Sequence, residues 1–78
     1  MRKKKPVLVI TFGTTTEAMK MEKFCIQKEL PGRLIPVPRE ITAGCGLAWK
    51  TEQDQRALFM KEFQENGITW EGMYDLEL

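Results

Sequence analysis

Two periodicities alternate along the chain. Residues Pro6–Phe12, "PVLVITF", form a near-continuous apolar run rich in β-branched side chains. Such a run predicts a strand buried on both faces, hence central in a sheet, and a proline at its first position is compatible with that. After Gly13 the spacing becomes helical. In "TTTEAMKMEKFCIQKE", Ala18, Met21, Phe24, Cys25 and Lys28 fall on one stripe of a 3.6-residue period. One of Thr14, Thr15 and Thr16 is expected as N-cap, Glu17 in the first turn, and Pro31–Gly32 as the stop. "RLIPVP", Arg33–Pro38, predicts a second strand whose two prolines remove two ladder donors and so confine it to an edge. A loop of small residues around Gly44–Gly46 leads into "LAWKTE", a short third strand. "DQRALFMKEFQEN" predicts a second helix, with Arg56, Phe59, Met60 and Phe63 on one stripe and Gly67 at its end. "ITWEGMYDLEL" alternates, with Ile68, Trp70, Gly72, Tyr74 and Leu76 on one side, and predicts a fourth strand.

The order βαββαβ predicts an α+β fold: a ferredoxin-like sandwich, with a four-stranded antiparallel sheet and two helices on one face. Right-handed crossovers then put the first strand between the third and fourth, with the second on an edge. The most apolar strand thus falls at the centre and the proline-bearing one at an edge. The 78 residues fit one domain, 1–78, with 1–5 as a flexible basic tail. A domain this small has little room for a deep pocket besides its core, so a site is expected to be shallow and built from loops.

Composition narrows the function. Twelve basic and eleven acidic residues leave a net charge of +1, which gives no global field to steer a polyanion. The basic start and apolar run of "MRKKKPVLVITFG" resemble a signal peptide, but no clean small-residue cleavage site follows, and removal would delete the best strand. No apolar stretch approaches the roughly 20 residues that span a bilayer. The expected location is cytoplasmic, with no membrane or nucleic-acid partner. Two cysteines make no disulfide framework and are expected to be reduced there. The absence of histidine removes Cys–His nucleophile pairs and the commonest metal ligand. No metal site and no cofactor is expected. The loop after the first strand lacks the paired cysteines of a copper chaperone, and the third strand lacks the aromatic platform of an RNA-recognition domain.

The remaining candidate chemistry lies in "AGCG". Strands one and two run the same way, so the threonine-rich helix start and the Arg39–Gly46 loop are expected on the same rim of the sheet. A helix N-terminus offers unpaired N–H groups, and Gly44 and Gly46 permit an amide nest; both favour negative charge, including that of a thiolate on Cys45. Arg39 and Lys50 are candidate cations at the loop's ends. The flanking glycines are expected to leave the sulfur open. Cys25, on the apolar stripe, is expected in the core, too far from Cys45 for a disulfide. Trp49 and Trp70 are expected in the core or on a sheet face. Against a reactive Cys45 stand plainer readings: a turn cysteine tucked inward, capping threonines, and an exposed Arg39–Glu40 pair.

"TFGTTTEAMKMEK", "PGRLIPVPREITAGCGLAWK" and "GITWEGMYDL" resemble the selenium/sulfur carrier-like family of small bacterial proteins, over about Val7 to Leu76. The resemblance implies the same βαββαβ domain and a role in handling selenium or sulfur. It places the carrier thiol at Cys45, with Thr14, Thr15 and Thr16 as rim neighbours and Arg39 as a possible cation. The partners implied are a cysteine desulfurase or other sulfur-relay or selenium-metabolism proteins, and the protein would be a carrier rather than an enzyme. Two other readings stay open: a small-anion or metabolite-binding module on the threonine rim, and a passive interaction domain, for example a homodimer through the sheet face without helices.

Overall fold

The computed structural model describes residues 5–41 and 45–77. Strand β1 is Pro6–Thr11, helix α1 Thr15–Lys28, β2 Arg33–Pro36, β3 Leu47–Glu52, α2 Arg56–Asn66 and β4 Gly72–Glu77, with a single 3-10 turn at Gln53–Gln55 before α2. The sheet order is β2-β3-β1-β4, and every neighbouring pair is antiparallel. This is the ferredoxin-like arrangement of the βαββαβ order. Four of the five residues in the proposed basic tail, 1–4, lie outside the described residues.

β1 is central because it has the side chains for it: Val7 to Phe12 are all buried. Its alternation separates two cores. Leu8, Ile10 and Phe12 face the helices, where Ala18, Met21 and Cys25 of α1 and Phe59 and Phe63 of α2 close over them together with Trp49. Val7 and Val9 face the other side, where Ala48 and Ile41 meet them. Both helices therefore sit on one face. The opposite face is not bare, since the loop after β2 lays Ile41 across it and Val9 is fully buried.

Helix α1 starts where the sequence pattern places it. Thr14 is the N-cap and its hydroxyl accepts the Glu17 N–H at 3.1 Å. It ends earlier than Pro31–Gly32: Glu29 takes a left-handed conformation at φ 55, and the Leu30 N–H reaches back to Cys25 O at 2.8 Å. On its stripe Lys28 is exposed and Phe24 is half-buried against the helix-side core. β2 is shorter than the run 33–38, ending at Pro36, as a strand interrupted by prolines must. Past it the Val37 N–H still bonds Gly46 O at 3.0 Å.

β4 departs more from expectation. Its ladder begins at Gly72, opposite Thr11. Ile68 and Trp70 precede it in an irregular segment and pack against the helix-side core, Trp70 with its ring centroid 5.0 Å from that of Phe63. Between Trp70 and the strand the phase changes. Met73 faces the helices, whereas Tyr74 and Leu76 face Ile41 and Val9. The five alternating positions thus belong to two faces. No helix among the described residues is long and apolar enough to cross a membrane.

Candidate functional site

Three chain segments converge at the end of the sheet where β1 finishes. The Cys45 N–H donates to Phe12 O at 3.0 Å, and the Glu71 N–H donates to Thr11 O at 2.7 Å. These two bonds hold the end of β1 on both sides, one at its last residue, Thr11, and one just beyond it at Phe12. Two residues after Phe12 comes Thr14, the cap of α1. The rim therefore carries the α1 N-terminus, the end of the β2–β3 loop and the lead-in to β4.

Glu17 links two of these segments. Thr14 Oγ1 donates to one carboxylate oxygen at 3.2 Å, and Thr69 Oγ1 donates to the other at 2.6 Å. "T-T-T-E" is a capping-box spacing, so the local half of this clasp was readable from sequence. The Thr69 half spans 52 residues and carries no local signal. Physically, the carboxylate already lies against the positive end of the helix. Thr15 and Thr16 are exposed beside it.

Cys45 is half-buried rather than open. Its side chain leans on the helix-side core, and Sγ lies 3.8 Å from Leu47 O. The backbone bond to Phe12 draws the residue inward, an effect the flanking glycines do not predict. Gly46 does adopt a positive φ of 95°. Gly44, the other half of the proposed nest, lies outside the described residues. Arg39 is exposed in the turn before Ile41, on the loop leading to Cys45, and takes part in no ion pair among the described residues.

Lys50 is not on this rim. It lies within β3, opposite Val9 on one side and Arg33 on the other. With Lys5 and Arg33 it lines an open groove of about 1110 Å³ at the other end of the sheet. The loop ends at Gly46, so a residue four positions on has already travelled down the strand. Trp49 is core, with its indole N–H donating to Pro31 O at 3.1 Å.

The two thiols are sharply different. Cys25 is fully buried, its Sγ 3.7 Å from Met21 Sδ, and burial pushes its pKa from 9.0 up to about 12. A thiol that is neutral when folded but ionises when unfolded makes the folded state bind the extra proton. Its contribution is complete below the unfolded value and is lost as pH rises through 9 to 12, at up to about 1.4 kcal/mol per pH unit. The expected result is a steeper alkaline loss of stability in wild type than in Cys25→Ala, measured by guanidinium melts from pH 8 upward. Parallel curves would show that burial of this thiol contributes nothing to the pH dependence.

Searches of curated proteins and of solved structures return no match. A family model described as "Putative Se/S carrier protein-like" matches residues 7–75. That span runs from the second residue of β1 into β4 and includes the rim and Cys45. The chain belongs to this Se/S carrier protein-like family.

Proposed function

We propose that the protein carries sulfur or selenium on Cys45, as a persulfide or selenosulfide, between partner enzymes of sulfur or selenium metabolism. The observation that supports this best is the division of labour between its cysteines. Cys25 is sealed in the core and held protonated, while Cys45 is tied by its backbone to the rim with its side chain half-exposed. One thiol is available for exchange and the other is not.

The transfer is a thiol–disulfide type exchange. The Cys45 thiolate attacks the outer sulfur of a donor persulfide. The donor's S–S bond breaks, a new S–S bond forms at Cys45, and the donor cysteine leaves as its thiolate. No net oxidation occurs. The acceptor then removes the outer atom by the same step in reverse. Gly46 adds no side chain beside Cys45, and Thr14, Thr15, Thr16 and Arg39 form the proposed rim, with Gly44 proposed for it from sequence but outside the described residues.

The anion-module reading is less well supported. An anion at the α1 N-terminus would meet the Glu17 carboxylate, and the Glu17 N–H is already taken by Thr14. Incubation with a cysteine desulfurase and cysteine, followed by intact-mass measurement, tests the carrier reading. Wild type and Cys25→Ser should gain one sulfur that dithiothreitol removes, and Cys45→Ser should gain none. An adduct on Cys25, or none in wild type, ends this reading.

A further inference from the structure

We propose that the outer face of α1 is the docking surface for the donor protein, and that the donor's matching surface is an apolar ridge edged with carboxylates. This rests on the carrier reading and adds the chemistry of the partner. Met19 and Ile26 are the most exposed large hydrophobic residues described, at 58% and 68%. They are seven residues apart, so they share one side of the helix about 10.5 Å apart along its axis. Neither contributes to the two cores. Both line a shallow groove of about 470 Å³ with Thr16, Lys20, Glu22 and Lys23.

Position and charge select the occupant. The groove begins at Thr16, two residues from the cap Thr14, and Phe12, which bonds the Cys45 N–H, lies two residues before that cap. A partner lying along the stripe therefore extends toward the thiol. Lys20 and Lys23 are exposed and Lys28 lies at the far end, while Glu22 is the one acid in the groove. Carboxylates on the partner complement this edge. The groove of a second copy brings the same excess of lysine over acid, Lys20 and Lys23 against Glu22, which gives no complement.

The test measures the rate of sulfur transfer to Cys45 from two donors: a purified cysteine desulfurase with cysteine, and glutathione persulfide, which needs no docking. Met19→Ser/Ile26→Ser and Lys20→Glu/Lys23→Glu should each slow transfer from the desulfurase about tenfold or more, with glutathione persulfide transfer and melting temperature unchanged. Added salt should slow wild type but not the charge-reversed variant. Wild-type rates in both variants overturn the docking surface alone. Equal slowing with both donors also overturns it, since the effect would then be on thiol reactivity. So does a wild-type dimer in sedimentation that the apolar double variant dissolves, because a second copy would hold the face. Failure of wild type to accept sulfur from either donor removes the carrier reading and this surface with it.

Discussion

Replacing Gly32 by alanine is expected to destabilise the domain by about 2–4 kcal/mol, out of proportion to one methyl group on a surface turn. Gly32 has φ 118, a conformation that side chains rarely adopt. A Cβ there would also lie well inside contact distance of the Lys50 carbonyl and the Trp49 indole nitrogen. The Lys50 carbonyl belongs to β3 and cannot retreat without disturbing the ladder to β2. The indole nitrogen is held by Pro31 O. Gly46→Ala is the comparison. It also has positive φ, at 95°, but no atom of the described residues lies within 4 Å of its Cβ position, so only the conformational cost, about 1–2 kcal/mol, should appear. Urea melts of the two variants measure the difference. Equal losses would show that close packing against Trp49 is not what requires glycine at 32.

Phe12→Ala is expected to cost about 3–5 kcal/mol, because the ring is fully buried and the surrounding side chains cannot collapse to fill its space. A 78-residue chain has about 4–12 kcal/mol in total, so the variant should lose a third or more of its stability and open far more often than wild type at 25 °C. Phe12→Leu retains most of the volume and should lose about 1–1.5 kcal/mol. Alkylation gives an independent reading. In wild type and Phe12→Leu only Cys45 should react readily, whereas in Phe12→Ala Cys25 should react as well. A folded Phe12→Ala with Cys25 still protected would mean that the helix-side core does not depend on this ring.

These effects also mark what sequence pattern can and cannot convey. The apolar run of β1 and the segment "LAWKTE" became strands with little or no change of bounds, since in each case local pattern and final burial agree. The prolines of β2 identified the edge, because a missing N–H is a local property with a global consequence. Simple alternation puts Ile68 and Trp70 in the last strand. The chain bends before Gly72, and a period of two holds no information about a bend. Pro31–Gly32 is the expected stop of α1, yet Glu29 takes the left-handed turn there, and Gly32 instead passes close against Trp49. The candidate site divides in the same way. Chain direction alone brought the α1 start and the Cys45 loop to one rim. The half-burial of Cys45 and the Glu17–Thr69 bond depend on contacts between distant segments, which spacing does not encode; Lys50 lies within the predicted strand LAWKTE, and its distance from the rim follows from that strand alone.

The central position of β1 has a consequence for how the chain is made. Its two neighbours, β3 and β4, are both synthesised after it, and Pro6 finds its β4 partner only at Glu77. Contacts of such long sequence separation slow folding, because a large loop must close before they form. On the ribosome the most apolar segment can pair with β3 once Glu52 has emerged, but its other edge must wait for β4, and that interval is when a chaperone would find most to hold.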